Sequence, residues 1–141
     1  MRAMNTCYTI GYGGWAAQNF LDTLTAHRIT TIVDVRLQPT RAYMGTWVKA
    51  KTPDKGIERL LASEHINYAW IPELGNLYKD EKNWRELYAQ HIRQQGDQLI
   101  KSLLEIPQPF AIMCAERRVT DCHREYIAQY LEGMGWAVTH L

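Results

Sequence analysis

Apolar residues along this chain fall into short runs separated by longer amphipathic stretches. Cys7–Ile10, Ile29–Val35, Asn67–Ile71, Phe110–Met113 and Trp136–Leu141 read as strands. Between them, Phe20, Leu21 and Leu24 share one helical face, and Ile57, Leu60 and Leu61 mark a second short helix. Trp84, Leu87, Tyr88, His91 and Ile92 follow the i, i+3, i+4, i+7, i+8 spacing of an amphipathic helix. Gly96 is expected to interrupt it before Leu99, Ile100, Leu103 and Leu104 resume the pattern, and Pro107 and Pro109 to end it. Thr120 or Asp121 is expected to cap a last helix, with Tyr126, Ile127, Tyr130, Leu131 and Met134 inward and Gly133 and Gly135 stopping it.

This alternation predicts a three-layer α/β/α domain with a mostly parallel sheet of about five strands. The continuous apolar character of Ile29–Val35 and Phe110–Met113 suits strands covered on both faces. The chain has 141 residues and no repeat, low-complexity tract or Gly/Ser linker, so residues 1–141 read as one domain. The residues before Thr6 read as a loose end.

A formal charge of +1 gives no general attraction to nucleic acid or membrane, so any such affinity must come from a local patch. No apolar run approaches the roughly 20 residues that span a bilayer, and no membrane partner is expected. Three cysteines, an odd count, argue for reduced thiols in the cytoplasm rather than a disulfide framework. One local patch stands out. Between Arg36 and Arg59, six basic residues face two acids, a local +4, with Tyr43 and Trp47 interleaved. Basic residues mixed with aromatics suit an anionic ligand with stackable rings. The plainer reading is a solvated loop.

The run from Phe110 to Arg124 concentrates the chemistry. A strand ends in Cys114, a polar loop carries Glu116, Arg117 and Arg118, and Cys122, His123 and Arg124 stand where a helix begins. Such junctions lie at the carboxyl edge of a parallel sheet, where α/β folds bind ligands. A thiolate is the reactive form of cysteine, and Arg117 and Arg118 are close enough in sequence to favour it at Cys114. Against this, free cysteine is among the most buried residue types and often only packs. Cys122, in the first turn of the expected helix, would be stabilised as a thiolate by the macrodipole. His123 and Arg124 are unfavourable there unless an anion is bound. The spacing lacks a zinc knuckle, so no metal and no cofactor is expected, and a Cys114–Cys122 disulfide is conceivable only as a redox state.

Asp34 ends the second strand in an apolar run, where a carboxylate requires a partner. Arg36 shares its strand face, so either a structural ion pair or part of a catalytic group is expected. Gly11-Tyr12-Gly13-Gly14 resembles a phosphate-binding turn without the full fingerprint. Its N–H groups either face a ligand or merely follow a tight bend.

TIGYGG, VDVR-x2-P-x-R, Pro72-Glu73-Leu74-Gly75, CAE and CHR, in that order, resemble the "domain of unknown function 488" family over nearly the whole chain. The resemblance implies a three-layer α/β domain with the motif residues at one end of the sheet. It maps the family pattern onto Gly11, Asp34, Arg36, Arg41, Gly75, Cys114, Glu116, Cys122, His123 and Arg124. Tyr12-Gly13, Thr40 and Asn76 stand where members often carry His-Ser, serine and a second glycine.

The resulting expectation is a small cytoplasmic enzyme acting on a phosphate-bearing substrate, a nucleotide or a nucleic-acid end. Cys114 would be the nucleophile or Glu116 the base, His123 a proton shuttle near neutral pH, and Asp34 a further catalytic group. Arg36, Arg41 and Arg124 would clamp the anion, with Cys122, Gly11 and Tyr12 completing the substrate site. The arginine of a Cys-x5-Arg phosphatase loop is absent, since Thr120 stands at that position. The alternative is a non-catalytic nucleotide or nucleic-acid binder using the same arginines. Substrate, strand order and oligomeric state are left open.

Overall fold

The computed structural model describes residues 5–141, and most of the loose end expected before Thr6 lies outside them. Five strands, β1 (Thr6–Gly11), β2 (Thr31–Asp34), β3 (Asn67–Trp70), β4 (Phe110–Cys114) and β5 (Ala137–His140), form one sheet in the order β3-β2-β4-β1-β5. Every pairing is parallel. The sheet is therefore the parallel α/β sheet that the strand–helix alternation predicts. The two strands with the most continuous apolar character, β2 and β4, are central and buried along their length, while β3 and β5 form the edges.

Side chains alternate across the sheet as strand geometry requires. Phe110, Ile112 and Cys114 enter one core with Tyr88, Ile92, Leu103, Ile127 and Leu131. Ala111 and Met113 enter the other, with Phe20, Leu21, Leu24, Ile57 and Leu61. One layer is thus α1 (Ala17–Ala26) and α2 (Gly56–Ala62), and the opposite one α3 (Trp84–Leu99), α4 (Lys101–Leu104) and α5 (Arg124–Gly133). No described helix is long and apolar enough to cross a membrane.

Three local expectations are corrected. Gly96 does not interrupt α3, which runs on to Leu99 and breaks at Ile100. The glycine is required by packing, because a Cβ there would lie 2.4 Å from the Tyr130 ring of α5. Neither Thr120 nor Asp121 caps α5. Both belong to a 3-10 turn, Val119–Asp121, and the helix starts at Arg124 with His123 at the cap position and no side-chain cap bond. Met134 lies past the helix end and is 47% exposed, so it does not join the inward face.

Candidate functional site

The carboxyl ends of β2, β4 and β1 open onto a cleft of about 540 Å³. Tyr12, Arg36 and Arg41 line it from the β1 and β2 side, and Cys114, Glu116, Cys122 and His123 from the β4–α5 side. The two halves that the sheet separates meet only over its edge. Gly11, Asp34 and Arg124 stand behind the lining.

Asp34 is fully buried, and its oxygens are taken up. They accept from the Arg36 backbone N–H at 3.0 Å, from Arg36 Nε and Nη2 at 2.9 and 2.7 Å, and from the Tyr68 hydroxyl at 2.5 Å. Arg36 uses its remaining fork on Trp47 O at 2.7 Å and the Tyr12 hydroxyl at 3.2 Å. Burial works against the Arg36 charge, but the Asp34 carboxylate outweighs it and raises the pKa. With every guanidinium nitrogen already bonded, this pair anchors the β2 end and the loop after it, and Arg36 presents no free two-nitrogen fork to an anion. Trp47, expected to offer a stacking face, is 1% exposed and packs on Tyr12 at 5.0 Å and Phe20 at 4.9 Å. Only Tyr43 of the interleaved aromatics is exposed.

The glycine turn likewise faces inward. Tyr12 N–H donates to Cys114 O at 3.1 Å and Gly13 N–H to Ala115 O at 2.9 Å, so neither is available to a ligand. A Cβ on Gly11 would lie 1.6 Å from Glu116 O, so this residue must be glycine for the 114–117 loop to lie against β1.

Arg124 is the hub of the other half. Fully buried, it donates from Nε to Thr9 Oγ1 at 3.2 Å, from Nη1 to Glu116 O at 2.7 Å and Cys114 Sγ at 2.8 Å, and from Nη2 to Arg117 O at 3.2 Å. It therefore braces the loop from beneath and does not clamp a substrate. Burial pulls its pKa down to about 10, with Glu116 opposing, so it stays charged at neutral pH. Among the described residues it has no carboxylate ion pair. The cation beside Cys114 is thus Arg124 and neither of the two arginines nearest in sequence. Arg117 lies over the Trp15 ring at 4.2 Å, and Arg118 pairs with Asp121 at 3.1 Å.

Against the reduced thiols that the odd cysteine count suggests, Cys114 and Cys122 are joined as a disulfide, the alternative redox state, and Cys7 is free. Cys122 precedes α5 instead of sitting in its first turn, and its sulfur accepts the Arg124 backbone N–H at 3.4 Å. His123 is buried, and its Nε2–H donates to Val35 O at 2.9 Å, leaving Nδ1 as an acceptor 3.6 Å from Cys122 Sγ. Burial, reinforced by the Arg124 charge, lowers its pKa to about 4. A proton shuttle near neutral pH is therefore not what this histidine provides. The shift makes a stability prediction. Between pH 6.5 and 4 the unfolded chain binds a proton here that the folded chain refuses. Stability is full above the unfolded value and falls as pH drops through this window, by about 3 kcal/mol in all. Urea midpoints from pH 7 to 4 should show that slope, and His123→Gln should flatten it.

The cations left free at the cleft are Arg41 and Lys79, neither of which forms an ion pair among the described residues. Glu116 is exposed at the mouth. Sequence reasoning missed Lys79 in the lining, because it follows the PELG segment in a stretch without periodicity; Asn76 stood out only as a departure from the family pattern, and Trp84 only as part of an amphipathic helix face. It also missed Thr9, a buried hydroxyl in an otherwise apolar strand.

Fold and site together define a parallel α/β domain with a cysteine pair over a buried arginine at the carboxyl edge of its sheet. The chain belongs to the family described as "Domain of unknown function DUF488", whose model matches residues 16–131. No curated protein and no solved structure matches it.

Proposed function

We propose that this protein is an enzyme that uses the Cys114 thiolate as a nucleophile on a phosphate-bearing substrate, a nucleotide or a nucleic-acid end. The observation that carries the reading is the Arg124 guanidinium, buried without a carboxylate ion pair among the described residues and 2.8 Å from Cys114 Sγ. A buried charge is tolerated when paired, and once the disulfide is reduced the anion beside it is the thiolate. Arg41 and Lys79 draw the anionic substrate to the cleft, and Glu116 is the carboxylate at its mouth placed to exchange protons with the leaving group. Cys122 sets the redox state of the nucleophile. Asp34, Arg36 and Tyr12 hold the opposite wall in place.

The geometry disfavours the non-catalytic binder. With Arg36 and Arg124 engaged internally, Arg41 and Lys79 are the side-chain cations left for phosphates at the cleft, which predicts a weak salt dependence for binding there, a slope of roughly −2.

The test is alkylation of the reduced protein by iodoacetamide across pH, with mass spectrometry locating the adduct. Cys114 should react with a midpoint well below the free-thiol reference of about 8.5. Cys7 serves as internal control, since burial and the Glu132 charge push its pKa up to about 12. A Cys114 that stays inert until pH exceeds that reference would overturn the assignment.

A further inference from the structure

We infer that the oxyanion of the substrate is held by the polypeptide backbone, on the amide N–H groups of Ala115 and Glu116, beside Cys114. This deepens the nucleophile reading by naming what grips the group under attack, and it rests on that reading only for the reaction that follows binding.

In a trans peptide the C=O of one residue and the N–H of the next point in opposite directions. Cys114 O and Ala115 O are both turned toward the β1 end, where they accept from Tyr12 and Gly13 N–H at 3.1 and 2.9 Å. The N–H groups of Ala115 and Glu116 must then point away from β1. β4 lies between β1 and β2, so that direction is the side of the β2 end, where Arg36 and Arg41 line the cleft. Ala115 and Glu116 themselves line it too.

These two N–H groups have no acceptor among the described residues. The reason is local. Val35 N–H donates to Met113 O at 3.1 Å, so continuing the parallel ladder would bring Ala115 N–H to Val35 O. His123 takes that carbonyl instead, at 2.9 Å. Because burial keeps His123 neutral, it holds the position without placing a second charge over the thiol. The ladder therefore ends one bond early, and two adjacent donors are left facing the cleft. Donors preorganised in this way serve best where negative charge develops in a reaction. A phosphoryl group supplies such an oxygen, with the Arg41 charge alongside. The backbone thus provides what the glycine turn and the engaged arginines do not.

The experiment is a titration of the reduced, full-length, nitrogen-15-labelled protein with inorganic phosphate, followed by amide NMR at pH 7. The Ala115 and Glu116 amide signals should move furthest and saturate together. Adenosine monophosphate should reproduce the pattern and adenosine should not. Gly13→Ala, whose Cβ would lie 2.7 Å from Ala115 O, should weaken phosphate binding at least tenfold by displacing that peptide. Arg41→Ala should weaken it about threefold to tenfold while the same two amides still respond. Saturating shifts elsewhere with these two amides silent, or no saturable binding at all, would refute the backbone site. If the amides are silent while Cys114 alkylates at low pH, this inference fails and the nucleophile stands. If they respond while Cys114 is inert, the reverse holds.

Discussion

Cys114→Ser is expected to reduce turnover of any substrate the wild-type protein accepts by at least about a thousandfold, the scale on which losing a covalent nucleophile is felt. p-Nitrophenyl phosphate and nucleoside monophosphates are the first substrates to try. The substitution changes one buried atom at the end of β4. It leaves Arg124 its bonds to Thr9, Glu116 O and Arg117 O, so the thermal midpoint of the reduced protein should shift by only a few degrees. Oxidation gives a companion test. In the wild type, peroxide should inactivate by closing the Cys114–Cys122 bond, and dithiothreitol should restore turnover. In Cys122→Ser no partner thiol is available, so Cys114 should pass on to sulfinic acid and the loss should become irreversible. Retained turnover in Cys114→Ser would remove cysteine from the chemistry and shift attention to Glu116.

What the sequence could reveal divides along physical lines. The parallel sheet was legible because apolar runs and amphipathic helices report burial directly, and β2 and β4 were identifiable from their composition as strands covered on both faces, though not their place in the strand order. The Asp34–Arg36 pair was legible for the same reason, since a carboxylate in an apolar run demands a partner on its own face. Sequence proximity was a poor guide to the charge beside Cys114. Arg117 and Arg118 are nearer along the chain, yet the loop turns them outward to Trp15 and Asp121. Arg124 reaches the sulfur from the helix behind. The roles of Arg36 and Arg124 were also hidden, because a guanidinium that clamps an anion and one that binds carbonyls are the same letter. Only the acceptor list separates them. His123 failed for a related reason: its ordinary pKa suits neutral-pH chemistry, and burial behind the β2 end moves it out of that range.

Arg124→Leu should act on stability and reactivity at once. The leucine removes a buried charge, which by itself is favourable, but it strips partners from Thr9 and from the carbonyls of Glu116 and Arg117. Thr9 retains His140 Nδ1 at 2.6 Å, and the two loop carbonyls lie near enough to solvent to recover water in part. The net loss is therefore expected at about 2–4 kcal/mol, between one and several orphaned acceptors. The midpoint for Cys114 alkylation should rise toward or above the free-thiol reference of about 8.5, because the thiolate loses the guanidinium 2.8 Å from its sulfur. Arg124→Lys separates the two effects. Its ammonium restores a positive charge but cannot span three acceptors, so the alkylation midpoint should fall back most of the way while the stability loss persists. Urea unfolding and alkylation on the same three proteins would measure both. If Lys restored stability and left the midpoint high, the arginine's charge would have no bearing on the sulfur, and its role would be confined to bracing the loop.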